Sequence, residues 1–245
     1  MISIKRLITL LAVLAIFKPY CYAQPSIMSF VEVGQNKIVK RGYFSLAAIS
    51  SFDFKKNSID AGVIWTFGGQ RETNFAGLSL NAARKFSFLR QSFAISGSYF
   101  MQPFSNELRQ ISYSIILNFK LPHFQFDLGN NYRIYRLSRA FERSNKSGSD
   151  NNRIVEPGNL IYTIQYSVKR REQSWNITVS LTNYDFFIIE QEKNPMALFG
   201  GTYQIKKNTS LFIDLGLKYA GFSNYEIEFF GYFFRMGMEW NIGGN

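Results

Sequence analysis

Apolar and polar residues alternate one by one along most of this chain. In the stretch 210–220, Leu211, Ile213, Leu215, Leu217 and Tyr219 fall on one face; Phe212, Asp214, Gly216, Lys218 and Ala220 fall on the other. Between 111 and 119, Ile111, Tyr113, Ile115, Leu117 and Phe119 oppose Ser112, Ser114, Ile116 and Asn118. Trp175, Ile177, Val179 and Leu181 alternate with Asn176, Thr178, Ser180 and Thr182, and Ile59, Ala61, Val63, Trp65 and Phe67 with Asp60, Gly62, Ile64 and Thr66. A period of two marks strands whose faces meet different surroundings. It predicts twelve strands, at 26–35, 40–54, 58–68, 74–85, 91–101, 109–120, 124–137, 158–169, 174–185, 196–206, 209–221 and 227–242. The first is the least regular, being short and carrying Glu32. Helical periodicity is sustained nowhere.

The connections alternate as well. One set is short and basic: 54–57, 84–90, 120–123, 169–174 and 206–208. The other is more polar and generally longer: 68–73, 102–108, 138–157, 190–195 and 221–226. Short turns at one end and longer loops at the other predict an all-β, antiparallel, up-and-down transmembrane barrel of about twelve strands, its short turns and both termini periplasmic. Alternation alone does not say which face points inward, and an exported soluble barrel or sandwich is the competing fold. Two features favour lipid on the apolar face. The opposite face is mostly Ser, Gly, Ala, Thr and Asn with isolated charges, unlike the Lys/Glu-rich coat of a soluble surface. Aromatics also crowd the strand ends on the apolar face: Phe119, Phe124, Phe126, Trp175 and Trp240 near the short turns, and Trp65, Phe67, Tyr99, Tyr132, Tyr219 and Tyr232 near the long loops.

The first 23 residues stand apart. Lys5 and Arg6 precede the apolar run Leu7 to Phe17, and Cys21-Tyr22-Ala23 follows, the layout of a secretory signal peptide cut after Ala23. That run is too short to span a bilayer. The expected organisation is a signal peptide at 1–23 and a barrel at 24–245. Removing the leader takes away the sole Cys and three bases, Lys5, Arg6 and Lys18, so the formal charge drops from +11 to +8. Of the remaining bases, Lys55, Lys56, Arg84, Lys85, Arg90, Lys120, Lys169, Arg170, Arg171, Lys206 and Lys207 crowd the short turns. Outer-membrane lipids are the expected partners of such a rim, with another outer-membrane or periplasmic protein as an alternative; nucleic acid does not suit an exported barrel.

The C-terminal segment Arg235-Met236-Gly237-Met238-Glu239-Trp240-Asn241-Ile242 resembles the terminal β-signal of Gram-negative outer-membrane barrel proteins: a polar residue, glycine two on, then two alternating apolar residues. Arg235, Gly237, Trp240 and Ile242 fill those places. The tail Gly243-Gly244-Asn245 departs from the pattern, in which many members end on the aromatic residue. The resemblance implies recognition by the barrel-assembly machinery. The Phe/Tyr-rich strands and Lys-Asn turns also resemble small uncharacterised barrels of Bacteroidota.

One Cys and one His leave little for catalysis or metal binding. The barrel enzymes of the outer membrane (phospholipases, lipid A-modifying acylases, omptin proteases) resemble one another in using a histidine near the interface or outer rim. His123 lies in a short turn at the other end, with no serine and carboxylate at suggestive spacing, so no catalytic residue, cofactor or metal is expected. The lumen-facing charges say more. Alternation places Glu32, Asp60, Asp127, Arg133, Asp214, Lys218, Arg235 and Glu239 inward. They either line a conduit, with Arg133, Lys218 and Arg235 attracting anionic solutes, or form an internal salt-bridge network. Within one strand, Asp214 precedes Lys218 by four residues and Arg235 precedes Glu239 by four. The loop at 138–157 is a possible lid or docking surface. Narrow porin-like passage or binding of small polar solutes is the leading function, and a structural or assembly subunit of a larger outer-membrane complex is the alternative.

Overall fold

The computed structural model describes residues 23–36, 41–68, 75–88, 91–103, 108–137, 153–169, 174–186, 190–220 and 228–242. Among them run twelve strands: β1 (Ala23–Asn36), β2 (Arg41–Phe54), β3 (Asn57–Gly68), β4 (Phe75–Phe88), β5 (Gln91–Pro103), β6 (Leu108–Lys120), β7 (Phe124–Leu137), β8 (Arg153–Lys169), β9 (Trp175–Asp185), β10 (Glu190–Lys206), β11 (Thr209–Ala220) and β12 (Glu228–Asn241). Each pairs antiparallel with its neighbours in the chain, and β1 pairs with β12, so the sheet closes into a barrel with no free edge. The described parts of the chain begin and end at the short-turn end, where Ala23 lies opposite Phe54 and Ile242 N donates to Pro25 O. Apart from Ala23, which opens β1, the expected signal peptide lies outside the described residues. So does 138–152, most of the expected lid loop.

Of the expected connections, 84–90 is largely strand, because 85–88 extend β4 along β5, and two of the longer loops also prove partly to be strand. Residues 153–157 extend β8, pairing with β7 through Arg133↔Glu156 and Ile134↔Val155, and 190–195 belong to β10. Each of these two extensions adjoins a break in register, between Asn131 and Arg133 and between Gln191 and Met196. A bulge shifts the in-out phase, which hides the strand beyond it from any period-two reading. Gly158, at φ 73°, supplies the left-handed residue beside the first break. The irregular first strand is longer than expected, because backbone pairing on both sides holds it.

The apolar face points outward. Ile115, Leu128, Ile154 and Leu160 are the most exposed of dozens of large apolar side chains on it. Water does not solvate so extensive an apolar surface, whereas hydrocarbon does. Rings mark the edges of this belt. Phe93, Phe119, Phe126, Phe124 and Tyr166 form a chain of contacts near the short turns, with centroids 5.0–6.4 Å apart. Toward the other end Phe44 meets Phe67 at 6.1 Å and Tyr99 meets Tyr113 at 5.4 Å. Such girdles suit the two membrane interfaces.

The inward face is not simply polar. Phe30, Ala47, Ile64, Phe100, Ile116, Ile161, Tyr184 and Phe212 meet in a buried core across the lumen. Several of its large rings lie over glycine on the neighbouring strand. A Cβ at Gly216 would run into the Phe233 ring, and one at Gly237 into Phe212 and the carbonyl oxygen of Ser29. Bare backbone at these cross-strand positions gives the rings room inside a narrow barrel.

Candidate functional site

The seam that closes the barrel also builds its charged centre. Register places Glu32 opposite Arg235 across β1–β12, and Asp214 opposite Arg235 across β11–β12. Arg235 donates to Glu32 through Nε at 2.9 Å and Nη2 at 2.5 Å, and Nη2 also donates to Asp185 at 2.6 Å. Asp214 lies 3.9 Å from Nη1. The Phe30 and Phe233 rings each lie 4.9 Å from the guanidinium carbon. Tyr43 completes the group by donating to Glu32 at 2.8 Å. A planar five-donor cation can satisfy carboxylates from three directions and still stack on rings.

Asp185 arrives from an element that leaves the wall. The β8–β9 ladder runs from Lys169↔Asn176 only to Thr163↔Thr182. Beyond Thr182 the in-out alternation stops, and Thr182, Asn183, Tyr184 and Asp185 are all buried. Asn183 then stands in for the missing strand. Its Oδ1 accepts from Tyr162 N at 2.9 Å, and its Nδ2 donates to Leu160 O at 2.8 Å. An amide side chain carries the same donor and acceptor as a peptide, so it satisfies the β8 edge while the backbone turns away. Tyr184 N donates to Thr182 Oγ1 at 3.0 Å, the Tyr184 hydroxyl donates to Ser114 Oγ at 3.4 Å, and Phe186 packs edge-on against Tyr184 at 4.9 Å. The end of β9 therefore folds into the lumen, and Arg235 clamps it there.

The other charges named from the sequence are dispersed. Asp60 accepts from Asn81 Nδ2 at 2.9 Å. Asp127 accepts from Asn118 Nδ2 and from Gln125 Nε2. Arg133 is buried and faces Glu156 in register across β7–β8. The Lys218 ammonium lies 5.8 Å from the Phe233 ring. Residues four apart in a strand are about 13 Å apart, so the close ion pairs of Arg235 run across strands, to Glu32 and Asp214, and not along β12 to Glu239. Of the terminal motif, Gly237 faces the lumen side against Phe212, and Trp240 and Ile242 point outward. His123 is exposed at the rim, with Nδ1 3.3 Å from the carbonyl oxygen of Ser167.

Two cavities occupy the short-turn half of the lumen. The larger, about 240 Å³, is lined by hydroxyl and amide side chains of β8–β11, by Asp185, Asp214, Arg235 and Glu239, and by the apolar Met28, Phe186, Leu198, Phe212 and Phe233. The smaller, about 200 Å³, includes Asp60, Asn81, Ser51 and Ser98, and again Phe186. Met28 and Phe186 line both and stand between them. In the other half, Gln102, Gln110, Ser112 and Asn131 are packed and buried; Gln102 donates to Gln110 at 3.3 Å and Asn131 to Ser114 at 2.8 Å.

No protein-family model and no curated protein matches the chain. Solved structures do. The KdgM porin in complex with disordered oligogalacturonate is 12% identical and superposes over 89% of this chain and 99% of its own, with a TM-score of 0.54. The KdgM porin alone gives 11%, 89%, 99% and 0.53. The outer membrane protein Omp33 of Acinetobacter baumannii is 10% identical over 90% of this chain and 98% of its own, with a TM-score of 0.48. The fold is that of a twelve-stranded outer-membrane barrel.

Within that barrel the sequence reading missed Asn183, Tyr184, Asp185 and Phe186: it placed the first three at the end of an ordinary strand and gave Phe186 no role. One signal was available. In Asn183-Tyr184-Asp185-Phe186 the apolar phase that Ile177, Val179 and Leu181 set reverses, since Tyr184 and Phe186 fall on the polar phase.

Proposed function

We propose that this chain is a non-enzymatic, narrow porin-like barrel of the outer membrane that admits small polar solutes to its lumen. The observation that carries this reading is the pair of cavities inside a closed barrel, each with hydroxyl, amide and carboxylate side chains in a mixed lining, separated by the inward end of β9. Passage then requires Tyr184 and Phe186 to move aside, so currents are small and intermittent. His123, at the rim against a backbone carbonyl, favours the non-enzymatic reading. The short turns and both termini face the periplasm, outer-membrane lipids surround the apolar belt, and the barrel-assembly machinery reads Arg235, Gly237, Trp240 and Ile242. The charge of the lumen does not favour an anionic chain such as the oligogalacturonate bound to KdgM. Arg235 is neutralised by Glu32 and Asp185, and the cavity linings add Asp60, Asp214 and Glu239. The test is single-channel recording of the refolded protein in planar bilayers. Discrete small openings that become longer in Asp185→Asn support the reading. A silent bilayer for both proteins, with the barrel folded, sinks it.

A further inference from the structure

The larger cavity combines features that point to a kind of ligand. Its volume, about 240 Å³, equals the room of roughly eight waters at about 30 Å³ each. That suits one six-membered sugar ring and lies below the ~300–1,000 Å³ of drug-sized sites. Thr178, Ser180, Thr202, Ser210 and Gln165 present hydroxyls and an amide from four strands. Phe186 also lines the cavity, 45% exposed although it lies inside the barrel. Phe186 meets Tyr184 edge-on and leaves much of its ring open to the cavity, whose lining also includes Met28, Leu198, Phe212 and Phe233; an open ring beside hydroxyl-bearing walls suits the C–H face of a sugar whose hydroxyls are met by side chains. Gly200 keeps the wall back: a Cβ there would collide with Thr178 Oγ1 and Asp214 Oδ1. The charge settles the rest. Arg235 is held by two carboxylates, so it anchors no anion, while Asp214 and Glu239 repel one.

We infer that this cavity binds an uncharged, polyhydroxylated solute of monosaccharide size, stacked on Phe186. The inference rests on the reading of the lumen as a place for small polar solutes and adds the class of solute. The test is equilibrium dialysis of the detergent-purified full chain against labelled glucose and glucuronate. The expected result is saturable glucose binding in the millimolar range, with glucuronate at least tenfold weaker. Phe186→Ala should weaken glucose binding about two- to tenfold, as expected for loss of one aromatic contact. Phe186→Tyr should retain it, and Gly200→Leu should abolish it by filling the cavity. A heat-modifiable gel shift checks that each variant is folded. No saturable glucose binding by the folded wild-type barrel overturns the inference. So does glucuronate binding as tight as glucose, or a folded Phe186→Ala that binds unchanged. Binding is read without current: a barrel that binds glucose but never conducts defeats the passage reading alone, and one that conducts but does not bind defeats this inference alone.

Discussion

Arg235→Met removes the centre of the charged network at nearly constant volume. Arg235 is 2% exposed, and its two bonded carboxylates, Glu32 and Asp185, are 2% and 6% exposed. The substitution leaves both acids buried without their cation, with Asp214 beside them. Breaking a buried pair from one side costs about 3–5 kcal/mol, which is a shift of more than about a hundredfold in the unfolding equilibrium. The loss falls at the β1–β12 seam, so closure of the barrel weakens along with the clamp on β9. Urea unfolding in detergent micelles, followed by tryptophan fluorescence, measures it. Neutralising the stranded acids as well, in Arg235→Met/Glu32→Gln/Asp185→Asn, should recover more than half of the loss, because the penalty lies in unpaired charge and not in the missing contact. A single variant within about 1 kcal/mol of wild type would refute the reasoning. So would a triple variant no more stable than the single one.

Other consequences follow from particular contacts. Asn183→Ala removes the acceptor of Tyr162 N; a cost of about 1–3 kcal/mol should appear in the same unfolding assay, with faster amide exchange at Tyr162. Gly237→Ala forces a Cβ against Phe212 and the Ser29 carbonyl oxygen and should destabilise by about 1–3 kcal/mol through overpacking, as read by a lower temperature for the heat-modifiable gel shift. Leu128→Arg, on the outward face of β7, should cost about 2–4 kcal/mol in a bilayer if it lies at mid-depth. The neighbouring exposed Lys120→Ala, at the strand end, should change stability by less than about 0.5 kcal/mol in refolding titrations on lipid vesicles.

The strand pattern determined twelve strands and their order, and the makeup of the two faces with the aromatic strand ends determined which face meets lipid; boundaries fall within three residues of those found except where a bulge changed the phase. That legibility has a physical cause. A wall with hydrocarbon on one side and a lumen on the other imposes its period on every residue, and neighbouring strands are neighbours in the chain, so local pattern carries the topology. The inward position of Glu32, Asp214 and Arg235 was readable for the same reason. Their mutual bonding was not, because Glu32 and Arg235 lie 203 positions apart and meet only when the last strand finds the first. Nor was the inward turn after Thr182 readable. Whether a strand stays in the wall depends on Asn183 replacing one ladder and Asp185 reaching Arg235 three strands away across the lumen, contacts between residues far apart in the chain. Sequence therefore decided the wall, and tertiary structure decided what fills it. A repeating environment writes itself into local periodicity, whereas a single long-range clamp leaves only a brief break in it.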